Sequence, residues 1–231
     1  MLRLSKLLLL FGLLSLACEG PRGASPLPEP PAIDGSRIGY GPALAPASLP
    51  ADVELIGDLA SASPGSTLRV TNLDTTDEPV TTTVTDDGRF SIMVSVSPGD
   101  ELRFEAFRGE FRSEPVDRIA NSQELAPAPR HDCIALTPGY VVEFDGSTAE
   151  SLFIDNQCDA PAVVQAPRFR LGLPDFAPTT ALPVTIEPGR SASLRFSYTP
   201  QSAEAPEDIF FVDIDVNGDA LRYPIGLSSS E

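Results

Sequence analysis

Tryptophan is absent, lysine and histidine occur once each (Lys6, His131), and cysteine occurs three times, at Cys18, Cys133 and Cys158. Each scarcity excludes something. With a single histidine, set in the polar stretch Arg130-His131-Asp132, most Ser-His-Asp and Cys-His hydrolase designs are ruled out. The cysteines stand far apart with no C-x-x-C, which disfavours zinc and dithiol redox sites. No P-loop or glycine-rich nucleotide fingerprint occurs, no helical periodicity is sustained, and no apolar run reaches the roughly 20 residues of a spanning helix. Basic residues are few, 16 against 33 acidic ones, for a formal charge of −17. Such a surface repels phosphate backbones and anionic lipid heads, so nucleic-acid binding and electrostatic membrane binding are disfavoured.

What is present begins with residues 1–17. Arg3 and Lys6 form a positive n-region, residues 7–16 are apolar apart from Gly12 and Ser15, and Ala17 is the small residue that precedes a signal-peptidase cut. Leu14-Ser15-Leu16-Ala17-Cys18 resembles a bacterial lipobox, with Ser15 and Leu16 in the reverse of the usual order. The resemblance implies cleavage before Cys18, lipid attachment (thioether diacylglyceryl and an amide-linked acyl chain such as palmitate) and a membrane partner through that anchor. Glu19 in place of Asp after the cysteine implies the outer membrane of a Gram-negative cell envelope. The alternative is ordinary cleavage after Ala17 and a soluble secreted or periplasmic chain. With Cys18 lipidated, Cys133 and Cys158 remain as an even pair, expected to form a disulfide in an oxidising compartment.

Residues 18–50 are rich in Pro, Gly, Ala and Ser without a hydrophobic period, and read as a disordered tether, in which short apolar pieces such as Arg37-Ile38-Gly39-Tyr40 could dock on a folded neighbour. Beyond it, short alternating runs predict an all-β fold: a first β-sandwich over 51–120, a linker at 121–131 and a second sandwich over 132–228. Strands are expected at 53–56, 68–71, 80–84, 90–94 and 102–107, then at 140–144, 151–155, 163–164, 184–186 and 194–198.

Two turns can be specified further. A three-residue loop at Asp86-Asp87-Gly88, with Gly88 in the left-handed region, would set Val84 opposite Phe90, Thr82 opposite Ile92 and Val80 opposite Val94 in a hairpin. A two-residue turn at Asn217-Gly218 pairs Ile214 with Leu221, Val212 with Tyr223 and, on the other face, Asp213 with Arg222. The run Asp213-Ile214-Asp215-Val216-Asn217-Gly218 imitates the start of an EF-hand, but the twelfth position is Pro224 where a bidentate Glu is needed. No metal or other cofactor is expected.

Pro64-Gly65-Ser66-Thr67-Leu68-Arg69-Val70-Thr71-Asn72, Thr85-Asp86-Asp87-Gly88-Arg89-Phe90 and Pro98-Gly99-Asp100-Glu101-Leu102 together resemble bacterial Ig-like or carboxypeptidase-regulatory-like domains. Asn156-Gln157-Cys158-Asp159, Glu187-Pro188-Gly189-Arg190-Ser191, Phe196-Ser197-Tyr198-Thr199-Pro200 and Pro224-Ile225-Gly226 resemble the Ig-like domains of the major sperm protein and ASPM, SPD-2, Hydin group. Both resemblances imply Ig-like sandwiches and no activity. The expectation is a non-enzymatic envelope protein that contacts protein partners through its Ig-like modules, or a passive spacer in an outer-membrane assembly.

Overall fold

A computed structural model describes residues 29–42, 51–165, 167–201 and 206–230. The expected signal peptide (1–17), the lipid-attachment residue Cys18 and parts of the tether (18–28 and 43–50) lie outside the described residues.

The chain is all-β and builds two Ig-like sandwiches. The first has nine strands: β1 (Ile38–Tyr40), β2 (Ala51–Gly57), β3 (Thr67–Asn72), β4 (Val80–Thr83), β5 (Phe90–Val96), β6 (Glu101–Arg108), β7 (Phe111–Arg112), β8 (Val116–Ala120) and β9 (Leu125–Pro127). One sheet runs β1-β2-β5, the other β4-β3-β6-β8-β9 with β7 on β6. Period-two alternation sorts the side chains: along β5, Phe90, Ile92, Val94 and Val96 are buried while Ser91, Met93 and Ser95 are exposed. They meet Leu68, Val70, Leu102 and Phe104 of the opposite sheet in one core.

Two expectations fail here. The hairpin at residues 86–88 does not form, because β4 pairs with β3 and β5 pairs with β2. Residues 84–89 instead arch from one sheet to the other. Val84, Phe90, Ile92 and Val94 still share a core, but across the sandwich and not side by side. Nor is the whole of 18–50 a free tether. Residues 29–42 form a strap: Ile33 bridges Ala62, Asp34 caps a short 3-10 turn, and Ile38–Tyr40 pairs with β2. Tyr40 donates its hydroxyl proton to the Asn121 carbonyl at 2.9 Å, closing one side of the sandwich. A free edge of β2 and the buried side chain of Ile38 supply the driving force that composition alone conceals.

Gly88 has φ +81°, and its turn is bolted to the 58–62 loop, with Ala60 N donating to Asp87 O and Ser61 N to Gly88 O. A Cβ there would lie 2.7 Å from the Ala60 Cα and 2.9 Å from the Ala62 carbonyl. Gly88→Val is therefore expected to cost about 2 kcal/mol or more through backbone strain and displacement of that loop. Urea unfolding checks it, and a midpoint equal to wild type would refute the packing.

The second sandwich has ten strands: β10 (Ile134–Thr137), β11 (Val141–Asp145), β12 (Ala149–Asn156), β13 (Ala162–Val164), β14 (Arg168–Phe169), β15 (Phe176–Pro178), β16 (Val184–Ile186), β17 (Arg190–Tyr198), β18 (Glu207–Val216) and β19 (Asp219–Ser230). Its sheets run β10-β12-β17-β15 and β11-β19-β18-β13-β16, with β14 on β18 and β11 parallel to β19. Phe144, Leu152, Phe196, Phe210 and Tyr223 fill the core, the Phe196 and Phe210 rings meeting edge-on at 4.7 Å. Asn217 and Gly218 both take positive φ (+58° and +84°), and β18 and β19 pair in the register Ile214 to Leu221 and Val212 to Tyr223.

Cys133 and Cys158 form a disulfide joining the start of β10 to the end of β12. Closing a loop of 25 residues is worth roughly 3 to 4 kcal/mol in the chain-entropy model. Residues 121–131 are not a loose linker. Leu125–Pro127 is the last strand of the first sandwich, pairing with β8, and His131 is held on the second sandwich, its backbone N–H donating to the Tyr223 hydroxyl. Pairing with β8 satisfies backbone groups that a free connector would leave to water.

Candidate functional site

The alternation of β6 sends Leu102, Phe104 and Ala106 into the first core and turns Glu101, Arg103 and Glu105 outward. An outward charged face ordinarily stays wet. Here all three are almost wholly buried, because β18 and β19 of the second sandwich lie over them.

The burial is compensated by a network of arginines and carboxylates. Arg103, fully buried, makes two parallel bonds to Asp117 (Nε to Oδ1 2.8 Å, Nη2 to Oδ2 2.9 Å) and donates from Nη2 to the Pro224 carbonyl of β19 at 2.7 Å. Arg130, from the connector, donates to Asp117 at 3.0 Å and to Glu101. Arg222 of β19 reaches across to Glu101 at 2.8 Å and grips Asp74 bidentately at 2.6 and 3.0 Å. Arg69 bonds Glu105 at 2.9 Å and also Glu207 of β18, while Arg112 bonds the other oxygen of Glu105. Asp213 and Arg222 do stand opposite each other in the hairpin, but the Arg222 side chain pairs with the first sandwich and not with Asp213.

Burial alone would raise the carboxyls in this seam. For Glu105 the guanidiniums of Arg112, Arg103 and Arg69 outweigh it and hold the group below the ordinary carboxylate value. Burial likewise opposes, and the Arg222 bonds overcome, at Asp74, which is also lowered. The Tyr223 hydroxyl, desolvated beneath the seam, is pushed up to about 12.

Beside the seam lies an open cleft of about 420 Å³ between the two sandwiches. Its floor is Arg69, Glu105 and Arg112, its first wall Thr81 and the loop bearing Asp77 and Glu78, its second wall Arg170, Leu171 and Glu207. Arg170 ties that loop down, donating to the carbonyls of Asn72 (3.1 Å) and Asp77, and its burial lowers its pKa from the usual guanidinium value. Asp208 accepts backbone N–H bonds from Leu171, Leu173 and Ile209, which fix its carboxylate within the second wall.

Of the residues singled out in the sequence, Gly88, Asn217, Gly218, Cys133 and Cys158 lie in turns or at strand ends and do not converge on the cleft. His131 points its Nε2 at the Ile214 and Asp219 carbonyls, 3.1 Å from each, so this nitrogen carries a proton and is not available as a base. Among the described residues no cluster of three or more His, Cys, Asp or Glu is placed to hold a metal ion. The seam residues carried one sequence signal, opposite charges at alternate positions of a single strand (Glu101, Arg103, Glu105).

No family model matches the chain, and no curated protein matches it. Among solved structures it is similar to the YadV chaperone (20% identity, 42% of this chain and 51% of that one, TM-score 0.35). It is similar also to the E. coli chaperone DraB (18%, 42% and 53%, TM-score 0.34). A protein of unknown function from Porphyromonas gingivalis is covered in full by 88% of this chain, at 15% identity and TM-score 0.36. The chain spans about half the length of the two chaperones.

Proposed function

We propose that this is a non-catalytic, lipid-anchored cell-envelope protein whose two sandwiches act as one body that presents a binding surface to a protein partner. The observation that carries the reading is the seam: arginines and carboxylates from both sandwiches and the connector fix one relative orientation, and so keep the cleft in one shape. The site chemistry supports binding over catalysis, since the single histidine and the two cysteines of the disulfide stand outside the cleft lining. Anchoring at Cys18 in the outer membrane rests on the lipobox resemblance.

Metabolic labelling with palmitate, with and without globomycin, tests the anchor. Wild type is expected in the membrane fraction and labelled, and Cys18→Ser unlabelled and released. An unlabelled, freely soluble wild type would sink the anchor. For the interaction, affinity capture from envelope extracts is expected to recover a protein partner, and repeated capture of none would sink that half of the reading.

A further inference from the structure

The first sandwich is closed on its strap side and open on its β4 side. In the β3–β4 ladder the Val84 N–H donates to the Ser66 carbonyl, so the bonded pairs fall at Leu68 with Thr82 and Val70 with Val80. That phase turns the backbone N–H and C=O of Thr81 and Thr83 away from β3. Among the described residues no strand pairs with β4 on that outer side. Thr81 lines the cleft, so the unpaired edge and the cleft form one surface.

Charge says what fits there. Arg69 and Arg112 are neutralised by Glu105 and Glu207, and Arg170 is held on carbonyl oxygens. The carboxylates of Asp77 and Glu78, just ahead of β4, attract the Arg170 guanidinium but form no salt bridge with it, and the chain as a whole carries −17. The rim is acidic, and Leu171, partly exposed, offers an apolar contact beside it.

We infer that the cleft is the docking site of an extended, basic polypeptide segment, which adds as a strand to β4 and sets lysine or arginine side chains at alternate positions against Asp77, Glu78 and the edge of the second sandwich. Backbone pairing with Thr81 and Thr83 supplies affinity, and the alternate cations supply selectivity. This rests on the interaction reading above and names its site and the chemistry of its partner.

The test uses the whole mature chain and a short fluorescent peptide alternating lysine and valine, with a glutamate-for-lysine control. The lysine peptide is expected to bind, to weaken as salt rises, and to slow amide exchange at Thr81 and Thr83; the control is expected not to bind. Thr81→Pro removes an outward N–H that bonds no strand among the described residues, a place where an edge strand tolerates proline. It should weaken binding at least about tenfold, the value of one or two lost hydrogen bonds. Asp77→Asn with Glu78→Gln, which leaves the backbone untouched, should weaken it several-fold and flatten the salt dependence. Unchanged binding by either variant, or no protection at Thr81 and Thr83, overturns the inference. Should the envelope partner be captured equally by wild type and Thr81→Pro, the cleft inference fails while the interaction reading stands; should wild type capture none while the peptide protects Thr81, the reverse holds.

Discussion

Arg103→Ala is expected to destabilise the protein by about 3 to 5 kcal/mol, the range for deleting one partner of a buried ion pair. The guanidinium is fully buried, so nothing in water replaces it. Its loss leaves Asp117 with a single bond from Arg130, strips the Pro224 carbonyl of its donor, and removes the central positive charge that faces Glu101 and Glu105. Arg103→Lys should lose less, but not little. One ammonium cannot reproduce both bonds to Asp117 and reach Pro224 from the same position. Arg103→Met combined with Asp117→Leu should cost less than the sum of the single changes, because no unpaired carboxylate is then left in the seam. Urea unfolding followed by circular dichroism reads all of these. Since Arg103 sits between the sandwiches, the alanine variant should also unfold in two steps where wild type unfolds in one. A single transition within about 0.5 kcal/mol of wild type would mean that the seam carries little of the stability.

The parts of this structure that could be read from the chain are those governed by period two. Along β5 and β12 the alternation alone separates core from solvent, and at Asn217-Gly218 a two-residue turn leaves only one register for the strands on either side. The arch at Gly88 shows where that reasoning stops. Requiring Val84, Phe90, Ile92 and Val94 to share a core is met equally by a hairpin within one sheet and by a crossing between two. Only the competition of β2 and β3 for the same strands decides, and that is a long-range matter. The strap was hidden for a related reason. Ile38-Gly39-Tyr40 is too short and too proline-flanked to announce a strand, and it becomes one by completing an edge. The seam was the least legible. Alternation told which residues of β6 leave the first core, but a strand cannot say whether water or another sheet waits on its far side. Glu101, Arg103 and Arg222 acquire meaning only when two sheets are brought face to face.

Acid should undo the seam. Glu105 and Asp74 both titrate below their ordinary values of 4.5 and 3.8 in the folded protein: burial raises them, and the surrounding guanidiniums lower them by more. In the unfolded chain they return to those ordinary values and bind protons more readily. Stability from these groups is therefore fully present above about pH 4.5 and is lost as pH falls through that value toward the folded-state ones. A competing effect runs the other way, because a chain of charge −17 repels itself at neutrality and is relieved on approaching its isoelectric point near 4.3. The two are separable by where stability peaks. If general repulsion dominated, the protein would be most resistant to urea near its isoelectric point. If the seam dominates, as its burial argues, the maximum lies above that point and resistance drops steeply below about pH 4. Glu105→Gln sharpens the comparison: it should be less stable at neutrality, since Arg69 and Arg112 lose their shared anion, yet lose less on acidification, since one of the lowered carboxyls is gone. An acid profile unchanged by this substitution would assign the pH dependence to surface charge and not to the seam.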